Sequence, residues 1–221
     1  MSRPFRRRAG RVEVALVPEQ RELLADLLGQ VDQMLDDGEP AAGDGPVDPL
    51  VELTGLDPTL AALGRDAVPP TKPDDPAVAR LLPDGSRDDP EIAAEFRRLT
   101  EQGLRARKRS VLRAAGEALS TPQDKLLLER PQAEAILKGL TDLRLVLAER
   151  LGIRTDEDAE RLHAIVAAQL AAGRQEFEVG EMPDGGPAGP DAGQAEAWVA
   201  HAALYDLVTW WQESLVEAMI G

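Results

Sequence analysis

After Pro18, the chain repeats one pattern: a proline or short polar residue is followed by apolar residues three and four positions apart. Proline is tolerated in the first turn of a helix, and a short acid caps that turn. The clearest starts are the segments DDPE, residues 88–91, and TDED, residues 155–158. This spacing predicts amphipathic helices that bury their apolar faces against one another. The sequence therefore predicts a mainly α fold, with a single helical-bundle domain over residues 1–221.

The N-terminal segment has a different period. In RVEVALV, residues 11–17, valine and leucine occupy every second position, which is the period of a half-buried strand. The pair Ala9-Gly10 places a turn between this segment and residues 5–8. Because an isolated hairpin is only marginally stable, we expect a small N-terminal β-hairpin that packs on the helices.

Segments rich in proline and glycine interrupt the helical pattern at about 38–49, 64–76 and 180–193, and they predict flexible loops. Aromatic residues make up only 3% of the chain, whereas hydrophobic residues make up 43%. Leucine, valine and alanine must therefore fill the core. This composition favours helix packing, because sheets depend more on aromatic and β-branched side chains.

The helix predicted from Asp88 to about Leu119 has an apolar and a basic side. The apolar stripe consists of Ile92, Phe96, Leu99, Gly103, Ala106, Ser110 and Ala114. The second half of this stripe is made of small residues, which suit the close approach of another helix. The opposite side carries Arg98, Arg105, Arg109 and Arg113. We therefore expect the stripe to pack within the bundle and the arginines to form a solvated face.

No pattern typical of a catalytic site occurs in the sequence. Phosphate-binding loops, dinucleotide fingerprints and nucleophile elbows are absent. Cysteine is absent and histidine is limited to His163 and His201, so a thiolate nucleophile or a histidine-built metal site is not expected. Pairs of adjacent acids lie beside proline or glycine, where turns and helix caps explain them. We expect a non-enzymatic protein without a cofactor.

Charge and hydropathy restrict the partners and the location. The formal net charge is -15, and such a field repels nucleic acid phosphates and disfavours direct DNA binding. No apolar run approaches the roughly 20 residues of a membrane span. The arginine-rich start has no apolar run behind it that is typical of a signal peptide. We expect a cytoplasmic protein whose partners are other proteins. These features predict no particular oligomeric state.

One charged residue lies in an apolar stripe. Arg144 shares a helix face with three leucines of the segment 140–151. A charge buried there needs a partner, because burying it alone is costly. Glu213 and Gln212 lie on or beside the apolar face of the last predicted helix, from about residue 194 to 220. We therefore predict a buried structural pair between Arg144 and Glu213, assisted by Gln212.

Basic clusters and two tryptophans are the candidate contacts for a partner. The candidate residues are Arg6, Arg7, Arg8, Arg105, Arg109, Trp210 and Trp211. The arginines form either a patch for an acidic partner or a solvated face with ordinary pairs along the helix. Consecutive residues lie about 100° apart on a helix, so the tryptophans cannot enter one seam. Either two sides of the last helix are covered, or one tryptophan anchors a partner.

Four segments together resemble a known family. They are RVEVALVPEQRELLADLLGQVDQML at 11–35, LLPDGSRDDPEIAAEFRRLTEQGLRARK at 81–108, LTDLRLVLAERLGI at 140–153 and LYDLVTWWQESLVEAM at 204–219. They are similar to the actinobacterial domain-of-unknown-function family 2017, the family of AosR-like oxidative-stress regulators. The resemblance covers most of the chain except the loops rich in proline and glycine.

The resemblance implies a regulator of the oxidative-stress response that binds a transcription partner, such as an alternative sigma factor. Genes of the family lie near those for a proteolytic adaptor and for cysteine biosynthesis. The alternative is therefore an adaptor or scaffold in proteolysis or cysteine metabolism. In the family, the redox response is attributed to a cysteine pair near the N-terminus. This chain begins MSRPFRRRAG and contains no cysteine. A thiol switch is therefore excluded, and only the partner-binding part of the role is expected.

Overall fold

The computed structural model of the chain describes residues 3–36, 72–86, 88–121, 126–171 and 195–221. In chain order, the elements within these ranges are β1 (Phe5–Arg8), β2 (Arg11–Val14), α1 (Pro18–Met34), α2 (Pro76–Leu81), α3 (Pro90–Leu119), β3 (Leu126–Leu128), α4 (Arg130–Leu151), α5 (Asp156–Ala171) and α6 (Ala195–Ile220). The prediction of a mainly α fold is confirmed. That one domain spans the whole chain stays a prediction.

The predicted loops lie mostly beyond the ranges that the structure describes. The segments 38–49 and 180–193 are entirely outside those ranges, as is the larger part of 64–76. Pro76, the last residue of the segment 64–76, is the first residue of helix α2. Asp75 caps this helix, because its carboxylate accepts a hydrogen bond of 2.8 Å from the N–H of Ala77.

Helix boundaries follow the local signals in the sequence. Helix α3 begins after Asp89, whose carboxylate accepts hydrogen bonds from the N–H groups of Glu91 and Ile92, at 2.9 and 3.0 Å. Helix α4 ends at Gly152, which takes a left-handed conformation with φ of 72°. A glycine adopts this conformation without the steric cost that a Cβ would add.

The N-terminal strands β1 and β2 and the central strand β3 form a three-stranded antiparallel sheet of order β1-β2-β3. The predicted hairpin is confirmed, and Phe5 pairs with Val14 across it. The third strand was not predicted, because three residues are too few to show an alternating period. In this strand, Leu128 pairs with Val12. The inner face of the sheet buries Phe5, Val12, Val14, Leu126 and Leu128.

The turn of this hairpin contains a strained alanine. Ala9 and Gly10 both have positive φ, of 49° and 81°. Positive φ at both turn residues is typical of a type I′ hairpin turn, in which asparagine followed by glycine is strongly preferred. A left-handed conformation costs an ordinary L-residue roughly 1–2 kcal/mol, and asparagine tolerates it better than alanine.

We therefore expect Ala9→Asn to raise the free energy of unfolding by roughly 1 kcal/mol. Equilibrium unfolding in urea measures the change. The matched variant Ala9→Val should lower the same free energy, because a β-branched side chain is poorly tolerated at positive φ. Equal stabilities for the two variants would contradict this account of the turn.

Helix α4 lies at the centre of the helical part, in contact with α1, α2, α3 and α6. It buries Ile136, Leu140, Leu143, Leu147 and Leu151. Helix α6 also contacts β1, so it connects the sheet to the helices. This arrangement places the charged face of α3 against α1 and α4, and places Arg144 between α4 and α6.

Candidate functional site

Arg144 joins α4 to α6 through neutral partners. Its Nη1 donates a hydrogen bond of 2.8 Å to Oε1 of Gln212, and its Nη2 lies 3.4 Å from the hydroxyl of Tyr205. The guanidinium carbon also lies 5.6 Å from the centroid of the Tyr205 ring. Gln212 is held in turn, because its Nε2 donates to Oγ1 of Thr141 at 3.0 Å. The hydrogen bond from Arg144 to Gln212 thus links two of the three residues of the predicted pair.

The prediction that Arg144 pairs with Glu213 is wrong. One residue after Gln212 lies about 100° further around the helix, and the Glu213 side chain is exposed there. Arg144 is only half-buried, so water can solvate part of its charge without a carboxylate. Its Nε is buried and, in the part of the chain that is described, has no hydrogen-bond partner.

A cleft of about 260 Å³ lies beside Arg144. Arg80 and Arg154 also line it, and both guanidinium groups bind the carboxylate of Glu149, each at 3.1 Å. Tyr205 forms part of the same wall. The hydrogen bonds of Arg144, in contrast, go to neutral groups. The contacts of Arg144 with Gln212 and Tyr205 therefore fix the position of α4 relative to α6, in agreement with the structural interpretation of Arg144.

Trp210 and Trp211 of α6 both pack inward. Trp211 is fully buried, with 0% of its surface exposed. Trp210 is half-buried and packs against the hydrophobic core. Helix α6 is thus covered on two sides. The assignment of Trp211 as a partner-binding residue is wrong, because no part of its surface is available for a contact.

The arginines of α3 tie this helix to α1 and to its own acids. Arg105 donates to the carbonyl of Leu35 at 3.2 Å and to Glu101 at 2.7 Å. Arg109 binds Asp32 at 2.9 Å and Asp36 at 2.8 Å, and these hydrogen bonds raise the pKa of Arg109. Arg105 and Arg109 are therefore structural rather than exposed candidates for a partner, whereas the side chains of Arg98 and Arg113 on the same predicted face are 34% and 54% exposed.

The ion pairs at the start of α3 are the most buried. Arg97 and Glu101 are each 7% exposed, and they are joined at 2.8 Å. Arg97 also binds Asp84, just before the helix. Further along, Lys108 donates to Asp142 of α4 at 2.6 Å. The side of α3 that points into the molecule thus carries ion pairs together with the buried Leu112 and Leu119.

The apolar stripe of α3 accordingly points outward, contrary to the prediction. Ile92, Phe96 and Leu99 are 58%, 46% and 44% exposed. Ala106, Ser110 and Ala114 are exposed as well. The physical reason is that the other side of α3 buries Leu112, Ala115, Ala118 and Leu119 in the core. Acids on α1 and α4 bind the basic residues beside this buried side. We call seven residues of the outward side the α3 stripe: Ile92, Phe96, Leu99, Gly103, Ala106, Ser110 and Ala114.

The basic residues of β1 remain on the surface. Arg6, Arg7 and Arg8 are exposed along the strand. Arg8 pairs with Glu13 at 2.7 Å, within the same hairpin. The N–H and the carbonyl of Phe5 are each 3.2 Å from the hydroxyl of Ser214, which accepts from the first and donates to the second. The start of β1 is therefore fixed on α6, and its three arginines extend from a rigid base.

Two further properties of the described residues bear on function. Among the residues that the structure describes, no three histidine, cysteine, aspartate or glutamate side chains are grouped closely enough to hold a metal ion. In the same residues, no helix has the length and apolar character that are needed to cross a membrane. The surfaces that the described residues offer are thus the β1 arginines, the cleft beside Arg144 and the α3 stripe.

Comparisons with known proteins identify a family but no characterised relative. No curated protein and no solved structure matches the chain. A family model described as a domain of unknown function, DUF2017, matches residues 2–219 of the 221 residues. The match spans both the sheet and all the helices described above. The chain therefore belongs to the domain-of-unknown-function family DUF2017.

Proposed function

We propose that this chain is a non-enzymatic regulator of the oxidative-stress response that binds a component of the transcription machinery, such as an alternative sigma factor. The resemblance to the actinobacterial AosR-like regulators suggests this role, and we also propose a cytoplasmic location. The observation that carries the proposal is the exposure of Arg6, Arg7 and Arg8 on β1. Of the basic clusters noted in the sequence, the one on α3 is already bound by acids of α1 and α3.

The chemistry of β1 defines the kind of partner. A guanidinium group recognises a carboxylate through paired hydrogen bonds. Arg6 and Arg8 lie on one face of β1, and Arg7 lies on the other. The remainder of the chain is strongly acidic, since the formal net charge is -15. That field repels a nucleic acid and leaves β1 as a local basic patch. We infer that β1 contacts an acidic segment of a protein partner.

Charge reversal at one exposed arginine tests this surface. We expect Arg7→Glu to weaken binding of a candidate sigma factor by roughly tenfold, because it replaces an attraction across the interface by a repulsion. The matched control is Lys138→Glu, which makes the same charge change at an exposed position of α4. Titration calorimetry measures both affinities. An equal loss of affinity in the two variants would indicate a general charge effect and would exclude β1 as the binding surface.

Redox treatment of this chain alone tests the regulatory part. Disulfide formation and sulfenic acid chemistry require a cysteine sulfur, which this chain lacks. We propose that mild peroxide applied only to this protein leaves its affinity for the transcription partner unchanged. A large, reversible change would contradict the proposal. If the sigma factor does not bind at all, the alternative role as an adaptor in proteolysis or cysteine metabolism is favoured, and pull-down from a native lysate should recover proteins of those processes.

A further inference from the structure

The α3 stripe is an apolar surface that no other element covers among the described residues. Its first half carries Ile92, Phe96 and Leu99, which are all exposed. An amphipathic helix normally turns such a stripe toward a packing partner, and contiguous exposed apolar patches mark interaction sites. Here the opposite face of the helix already contacts α1 and α4. We propose that the stripe binds the stripe of a second copy of this chain, with the two α3 helices antiparallel about a twofold axis at Gly103.

The stripe is complementary to itself in the antiparallel direction. Ile92 and Ala114 lie equally far from Gly103 along the sequence, and so do Phe96 and Ser110. A twofold axis at Gly103 therefore places Ile92 and Phe96 of one copy opposite Ala114 and Ser110 of the other, while Leu99 lies opposite Arg107. Large residues opposite small ones interdigitate and fill the space between two helices. In a parallel pair, in contrast, the large side chains would face one another and the small residues would leave a gap.

The residue at the proposed axis allows the closest approach. Gly103 has no side chain, so the two backbones can come near one another at the centre of the contact, where helices packed through large residues stay about 8–10 Å apart. A twofold contact of this kind uses the same patch on both copies and closes after two subunits. The proposal is therefore a dimer and not an open chain of copies.

Charges beside the stripe favour the same orientation. Glu95 and Arg113 are separated by eighteen residues, which is five full turns of an α-helix. Both side chains are largely exposed, and they lie on one flank of the stripe. The antiparallel arrangement places Glu95 of each copy near Arg113 of the other. In a parallel pair with a twofold axis along the helices, Glu95 and Arg113 of different copies would lie at opposite ends of the contact and would not meet.

The ring of Phe96 is already held in place in the single chain. The backbone of Gly85 lies directly against this ring, so closely that a Cβ at residue 85 would not fit. The ion pair between Arg97 and Asp84 holds the same turn beside the helix. A side chain that is fixed before association loses little conformational entropy on binding. Phe96 is therefore the residue that we expect to contribute most to the dimer.

Two substitutions at exposed apolar residues test the surface. The unmodified chain should be a dimer by sedimentation equilibrium, and Phe96→Asp should raise the dimer Kd by roughly a hundredfold. The matched control is Ile220→Asp, which introduces the same charge at a residue of α6 that is 78% exposed. This control should leave the dimer intact. A monomeric unmodified chain, or an equal effect of the two substitutions, would overturn the proposal. Because both residues are exposed, circular dichroism should show folded variants.

The absence of cysteine allows a direct test of the orientation. In the antiparallel pair, Gly103 meets Gly103 at the axis, so Gly103→Cys should form a disulfide-linked dimer under mild oxidation. The matched variant is Ser110→Cys. The two copies of residue 110 would lie about 20 Å apart along the helices, too far for a disulfide. We therefore expect crosslinking with the first variant alone. Crosslinking of both variants would indicate a parallel pair. Crosslinking of neither variant would exclude the α3 stripe as the dimer contact.

Discussion

Replacement of Glu101 by leucine is expected to lower the free energy of unfolding by about 3–5 kcal/mol. Glu101 is almost fully buried, and its two carboxylate oxygens accept hydrogen bonds from Arg97 at 2.8 Å and Arg105 at 2.7 Å. The leucine would leave two guanidinium groups near the interior without this carboxylate. Asp84 and the carbonyl of Leu35 would still bind one arginine each, but neither replaces the shared acid between them.

A surface pair of the same spacing provides the control. Glu134 binds Arg130 four residues earlier in α4, at 2.9 Å, and both side chains are exposed. Such pairs contribute about 0.3–0.5 kcal/mol, so Glu134→Leu should have little effect. The double variant Arg97→Met with Glu101→Leu should recover part of the stability, because it removes a buried charge together with its partner. Urea unfolding at one protein concentration measures all three. A loss of less than about 0.5 kcal/mol for Glu101→Leu would contradict the buried network.

Helix positions could be predicted from the sequence because their causes are local. Asp89 caps α3 with its own carboxylate, and Gly152 ends α4 through its own backbone conformation. The hairpin is similar, since the Ala9-Gly10 turn and the alternating valines lie within a few residues of each other. Each of these signals acts over one turn of helix or one pair of strands. None of these signals depends on residues that are distant in the sequence.

The rotation of each helix could not be predicted in this way. In α1, leucines occupy consecutive positions, so apolar spacing allows both Leu23 and Leu24 as the buried residue. The structure buries Leu24 and exposes Leu23. In α3, both sides carry large apolar residues: Leu104, Leu112 and Leu119 face the core, and Ile92, Phe96 and Leu99 face outward. Apolar spacing therefore does not decide between the two sides, and Asp32 on α1 binds both Arg109 and Arg113. Which side of α3 faces the core depends in part on charges of another helix, and the periodicity of α3 alone gives no information about those charges.

The candidate site shows the same limit at the level of single side chains. The prediction that Arg144 joins α4 to α6 was based on its place in an apolar stripe, and the contact with Gln212 agrees with it. The exposed Glu213 was chosen because a charge was expected to need an opposite charge. A half-buried guanidinium instead uses an amide, a hydroxyl and an aromatic face. The degree of burial decides whether a charged group needs an opposite charge or only neutral partners. The sequence alone does not give the degree of burial.

Truncation of Trp211 to alanine is expected to lower the free energy of unfolding by about 3–5 kcal/mol. Trp211 is among the largest fully buried side chains of the core, so its removal leaves a cavity that the surrounding helices cannot fill. Trp210 provides the matched control in the neighbouring position. It is half-buried, and Trp210→Ala should cost only about 1–2 kcal/mol, because water can occupy part of the space. Equal losses for the two variants would contradict the inward position of Trp211.

A third variant separates the packing of Trp211 from its polar atom. The indole Nε1 of Trp211 is buried and has no hydrogen-bond partner among the described residues. An unpaired buried N–H costs about 1–3 kcal/mol, and phenylalanine removes this group while it keeps most of the apolar volume. We therefore expect Trp211→Phe to lower the stability by only about 1 kcal/mol, since the loss of volume is offset by removal of the unpaired donor. Urea unfolding monitored by far-ultraviolet circular dichroism measures the change. If Trp211→Phe were as destabilising as Trp211→Ala, the indole N–H would have to contribute a hydrogen bond to the folded state.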